Sequence, residues 1–190
     1  MSTTGRPRSE RARLAILEAA HDLLSEGGLA AATIEAIAAR AGVSKVTVYK
    51  WWPNRGAVAV DAFFHANEAT IQFEDSGDVA QELIGQVGTL IDAFRTRQGQ
   101  IMAELIGAAQ SDPKLAADLL DGWVLPRRTA SKAVLERAIE RGELIKDLDP
   151  DVVLDQIYGA VYFRVLLRHR PLEQTLAADL VNNVLNGLRP

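Results

Sequence analysis

A chain of 190 residues with no cysteine has room for one or two buried cores, but for no disulfide framework, cysteine nucleophile or cysteine-ligated zinc. Its formal charge of −4 hides a division: residues 1–56 hold eight Lys and Arg against five Asp and Glu, and the remainder 13 against 20, a head at +3 on a body at −7. The opening MSTTGRPRSE lacks the apolar stretch of a signal peptide and no apolar run is long enough to cross a bilayer, so a soluble, cytoplasmic protein with no membrane partner is expected.

Residues 1–7 read as a mobile arm, and Arg6, Arg8, Arg11 and Arg13 place four cations near the head. Such an arm either reaches phosphates or an adjacent minor groove, or is simply solvated. Residues 9–26 carry Leu14, Leu17, His21 and Leu24 at the spacing of one helical face, and Gly27-Gly28 ends that helix. Thr33 then offers an N-cap to a short helix reaching Arg40, with Ile34, Ile37 and Ala38 on one face. Gly42 follows, where a residue without Cβ can take the left-handed backbone that ends a helix, and Ser44 caps the next one.

A short apolar helix, a glycine turn plugged by Val43 and a capped second helix form a helix-turn-helix, whose second helix enters the DNA major groove. That helix turns Val48 inward, Trp52 closes its far end, and it exposes Lys45, Thr47, Tyr49 and Lys50, types that suit phosphates and base edges. The alternative is an ordinary helical hairpin with a solvated polar face.

The run TIEAIAARAGVSKVTVYKWW from Thr33 to Trp52, followed by Pro53, Asn54 and Arg55, closely resembles the DNA-binding domain of TetR-type transcriptional regulators, over residues 8–64. Val46 stands where that family commonly has glycine, Trp51 where histidine is common and Gly56 where an acidic residue is common; these departures bear on base preference rather than on fold. On this reading Thr33, Tyr49 and Arg55 serve phosphates, Lys45, Val46, Thr47 and Lys50 serve the groove, and Ser44 caps the helix that carries them. Val46 is placed to touch a thymine methyl, and Trp51 either lies on the sugar-phosphate backbone or covers the domain junction.

Asn54 is an N-cap for a long helix from Arg55 to Phe73, and Asp75-Ser76-Gly77-Asp78 is a turn. Everything beyond is helical in pattern. Helices are expected over residues 78–97, 101–110 and 113–141, the third bent near Gly122 and Pro126, then over 149–169 and 172–188. The fold class is therefore all-α, and the resemblance implies an N-terminal three-helix DNA-binding domain, residues 1–55, joined to a C-terminal helical ligand-binding and dimerisation domain, residues 56–190.

The last two helices look apolar on more than one face, and the resemblance implies that they pack against a second copy through Ile157, Val161, Val165, Leu176, Leu180 and Val184. A two-fold pair would read a near-palindromic double-stranded operator. The resemblance also implies a pocket for a small, mostly apolar inducer among Phe63, Phe64, Phe73, Phe94, Met102, Leu105, Ile106 and Trp123, although such a stripe equally serves as plain core. No metal spacing, nucleophile motif or phosphate-binding glycine loop is present, so neither an enzyme nor a cofactor is expected. The reading is a dimeric, ligand-released repressor; the alternatives are a DNA-binding dimer without an inducer and a helical interaction module that does not use DNA.

Overall fold

A computed structural model describes residues 5–67 and 76–188, with side chains from Ser9 onward. Phe73, Asp75 and the first four residues of the expected arm lie outside the described residues. No strand occurs among the described residues. The helices are α1 (Gly5–Ala31), α2 (Ile34–Arg40), α3 (Lys45–Tyr49), α4 (Arg55–Ala66), α5 (Val79–Phe94), α6 (Arg97–Ala109), α7 (Pro113–Leu119), α8 (Leu125–Glu140), α9 (Pro150–Leu167) and α10 (Leu176–Leu185), and a π-helical segment, Leu120–Val124, runs between α7 and α8.

The chain divides into two compact units, one of residues 1–68 with 101–123 and the other of residues 69–100 with 124–190. In the first unit α1 packs on α2 and α4, and α4 packs on α7. Its core is made by Ile16, Leu17 and Leu24 of α1, Ile37 of α2, Val58 and Phe63 of α4, and Leu105 of α6, each essentially inaccessible to solvent. Each such side chain stabilises the fold by about 1.5–3 kcal/mol relative to an exposed one. In the second unit α5 packs against α8, α9 and α10 over Leu83, Leu90, Leu135, Leu154, Ile157 and Val181.

Local chemistry sets most helix starts. The side chains of Thr33, Ser44, Asn54, Asp78, Asp112 and Asp149 each accept a backbone N–H in the first turn that follows them. Several expected boundaries shift. Gly5 already belongs to α1, and its helical run is broken at Gly27 and at Gly28, whose φ is 70°, before it resumes to Ala31. Helix α6 starts at Arg97 rather than Ile101, because Gly99 lets the chain turn tightly: a Cβ there would lie 2.1 Å from the Phe94 carbonyl oxygen. Helix α10 starts at Leu176 rather than Leu172, the residues after Pro171 being taken up by a connection in which Arg164 Nη1 donates to the Pro171 carbonyl at 2.9 Å.

Candidate DNA-binding site

The turn between α2 and α3 is closed by backbone bonds from Gly42 N to Ala39 O (3.3 Å) and from Val43 N to Ala38 O (3.0 Å). Gly42 has φ 65° and open space around it, so backbone conformation rather than crowding calls for glycine here. Thr33 Oγ1 accepts from Ala36 N at 3.1 Å, and Ser44 Oγ accepts from Thr47 N at 3.2 Å while lying 2.9 Å from Thr47 Oγ1. The two hydroxyls therefore fix both helix starts, and Val48, fully buried, pins α3 to the core.

The outer face of α3 is open. Val46 is 77% exposed and Tyr49 52%, far more than a core-filling role allows, and Lys45 and Lys50 are exposed beside them. Thr47 is half-buried. Lys45 Nζ lies 3.0 Å from Glu35 Oε1 of α2, a hydrogen bond that holds the carboxylate below its ordinary range and the ammonium above its own. Arg55 is exposed in the first turn of α4, where a cation opposes the helix dipole and a phosphate partner would offset that cost.

Two tryptophans brace the end of α3. Trp52 is buried, its indole Nε1 donating to Asp61 Oδ2 at 3.0 Å, and Arg13 Nη1 stands 3.6 Å from the same carboxylate oxygen. Trp51 borders a cleft of about 360 Å³ that Phe64, Lys114, Asp118 and Asp121 also line, so it covers ground between helices of the first unit. The result is a small rigid head presenting one short helix whose exposed side chains are apolar, phenolic and cationic, with an arginine at the start of the next helix. Such a surface fits a DNA groove flanked by phosphates.

Family comparison agrees with this geometry. Residues 16–62 match the model for bacterial regulatory proteins of the tetR family, and residues 73–184 match a tetracyclin repressor-like C-terminal domain. The chain belongs to the TetR family of transcriptional regulators. It is 40% identical over 188 residues to the HTH-type transcriptional regulator YdeS of Bacillus subtilis, covering 99% of this chain and 95% of that one. It is 28% identical over 180 residues to the DNA-binding transcriptional repressor TetR of Mycobacteroides abscessus, covering 94% of each. Among solved structures, the TetR-family transcription regulator SCO0332 superposes with a TM-score of 0.82 at 41% identity, covering 94% of this chain and 99% of that one.

The TetR-family body distributes the other expected residues unevenly. Phe63, Phe64 and Trp123 do come together, with ring centroids 4.9 Å apart for Phe63–Trp123 and 5.9 Å for the stacked Phe64–Trp123 pair. Met102 and Leu105 are buried in the same unit, and Ile106 is half-buried. Phe94 lies in the second unit, edge-on to Tyr162 at 5.5 Å. Ile157, Val161, Val165 and Leu176 are all buried in the core of their own chain, whereas Leu180 and Val184 are partly exposed. The open apolar face of α9 is made instead by Val152, Phe163, Leu166 and Leu167.

Three residues that sequence reasoning passed over help to build the head. Glu35 pairs with Lys45, Asp61 joins Trp52 to Arg13, and Glu104 Oε2 accepts the Leu29 N–H at 2.6 Å. Only Glu35, on the helix ahead of the recognition helix, carried a local signal. Among the described residues no cluster of three metal-ligating side chains occurs, and no helix is long and apolar enough to cross a membrane.

Proposed function

We propose that this TetR-family regulator is a homodimeric repressor that leaves a near-palindromic operator when a small, mostly apolar ligand binds. One observation carries the dimer. Phe163 and Leu167 of α9 are 54% and 60% exposed, and Val152 and Leu166 extend the same kind of surface, an apolar face of the sort that marks protein–protein contacts. Leu180 and Val184 of α10 add partly exposed apolar surface. A two-fold pair joined there would hold two α3 helices for half-sites roughly 34–36 Å apart.

Thr33, Tyr49 and Arg55 then meet phosphates, while Lys45, Val46, Thr47 and Lys50 face the groove; Ser44 holds α3 in place. The functional division runs between a DNA-binding head, residues 1–55, and the remainder, which dimerises and binds ligand. Support for the ligand comes from the Phe63, Phe64 and Trp123 cluster, three aromatic rings brought together in the first unit. Relatives of this fold include a FadR from Bacillus subtilis solved with stearoyl-CoA and a flavonoid-responsive regulator, FrrA, at 17% and 21% identity. A ligand acts by favouring the conformer that fits DNA less well, by as much as its affinities for the two conformers differ.

The test is selection of genomic fragments by the purified protein at moderate salt, followed by release assays with apolar compounds on the enriched fragment. A near-palindrome released by one compound class is the expected result. Enrichment with no releasing compound would leave a dimeric regulator controlled by other means, and no enrichment at low salt would overturn the DNA reading.

A further inference from the structure

The second unit contains a groove of about 650 Å³ at the C-terminal end of α9, and its charge is opposite to that of the body around it. Residues 57–190 hold 13 basic against 20 acidic side chains. Yet four of the basic ones, Arg95, Arg164, Arg168 and Arg170, line this one groove, with Glu173 the carboxylate among the lining residues. Arg95 also meets Asp92 at 3.7 Å, which still leaves four guanidinium groups facing two carboxylates. Phe94 and Leu172 supply apolar wall.

The backbone adds an independent observation. Arg168 has φ 52° and ψ 25°, and it is the one non-glycine residue with positive φ among the described residues. At Gly28, Gly42, Gly77 and Gly142 the chain uses glycine for the same left-handed conformation. A side chain is strained there and glycine is not, so an arginine at this position sacrifices stability. Residues strained in this way cluster at ligand clamps and other functional sites. Arg164 is meanwhile held in place by its bond to the Pro171 carbonyl at 2.9 Å, so part of the cationic set is oriented before anything binds. Guanidinium forks match phosphate oxygens in pairs, which an ammonium cannot do.

From this groove we infer a binding site for a small metabolite bearing two or more phosphate charges, separate from the proposed apolar inducer and independent of operator release. The plainer role for Arg168, a cation offsetting the helix dipole at the end of α9, predicts a different outcome on substitution.

The test is calorimetric titration of the full-length, DNA-free protein with pyrophosphate and with ADP, with sulfate as the comparison anion, alongside Arg168→Gly and Arg170→Gln. Binding of both phosphate probes in preference to sulfate is expected, weakened about tenfold or more in each variant, the loss of one paired charge-assisted contact. The Tm of Arg168→Gly should stay level or rise. No binding, equal preference for sulfate, or variants that bind as the parent does would each overturn the proposal. So would an Arg168→Gly protein that loses stability but not affinity, which marks a capping role. Variants that shift only the salt dependence of operator binding would assign the groove to DNA phosphates instead.

Discussion

Glu104 Oε2 of α6 accepts the backbone N–H of Leu29 at 2.6 Å, tying the turn before the helix-turn-helix to a residue 75 positions away. Gly28 makes room for that carboxylate: a Cβ there would fall 2.4 Å from Oε2, and its φ of 70° already disfavours any side chain. Gly28→Ala should therefore cost about 2 kcal/mol or more. In the Gly28→Ala, Glu104→Ala double variant the clash is gone and only the backbone strain and the lost hydrogen bond remain. Urea unfolding of the four proteins should give a destabilisation smaller than the sum of the single effects by about 1 kcal/mol. Additive effects would mean that the carboxylate and the glycine are not coupled.

On the proposed DNA face Lys45 is engaged by Glu35, whose carboxylate it meets at 3.0 Å. Opposite changes at the two positions should act in opposite directions. Lys45→Ala should weaken operator binding by about 1–3 kcal/mol and relax base preference at the position that it faces. Glu35→Gln frees the ammonium and removes a negative charge near the interface, so it should strengthen binding at low salt. A Glu35→Gln protein that binds DNA less well than the parent would remove Lys45 from the contact surface.

Tyr158 sits in a buried polar cluster of the second unit, donating its hydroxyl hydrogen to Gln86 Oε1 and lying 3.0 Å from Ser131 Oγ. Tyr158→Phe leaves the buried Gln86 oxygen without that donor and should cost about 1–3 kcal/mol near neutral pH. The same variant has an alkaline signature. Burial pushes the phenol up to about 12, so between the ordinary phenol value of 10.0 and that point the unfolded chain has released a proton the folded chain keeps. Stability falls through that window. Burial pulls Arg127 down to about 10, well below the usual guanidinium range, and this group works in the other sense, since the folded chain releases its proton first. Denaturant titrations at pH 10 and above should show Tyr158→Phe losing less stability than the parent as pH rises. An unchanged slope would place the phenol's titration elsewhere.

Phe163 and Leu167 stand on the open face of α9, whereas Ile157 and Val161 are fully buried. Phe163→Asp with Leu167→Asp should yield folded monomers in sedimentation runs and abolish binding to a two-half-site operator. Ile157→Ala should instead lower stability by about 2–5 kcal/mol while leaving the surviving folded protein dimeric. A double Asp variant that still sediments as a dimer would move the interface off α9.

Much of the head was legible because its signals are local. Thr33, Ser44 and Asn54 each bond a backbone N–H within three residues, and Gly42 adopts the left-handed turn that its position demands. The body was less legible where the deciding partner is remote. Ile157, Val161, Val165, Leu176, Leu180 and Val184 form the most regular apolar series, but α9 is apolar on two sides, and periodicity cannot tell which side faces its own core. The connection into α10 holds a bond from Arg164 to the Pro171 carbonyl, and the pairing of Lys45 with Glu35 crosses the turn between two helices. No spacing rule announces such contacts.

The first unit contains all three of the chain's tryptophans, Trp51, Trp52 and Trp123, whereas Tyr158 and Tyr162 lie in the second. Trp52 is buried against Asp61 while Trp51 is more than a third exposed, so the head emits from one shielded and one hydrated indole. Indole fluorescence of the unmodified protein is thus a built-in optical reporter of one half of the molecule. Paired with far-ultraviolet dichroism, which sees every helix, it tells whether heat or denaturant melts the DNA-reading half ahead of the rest, with no dye attached.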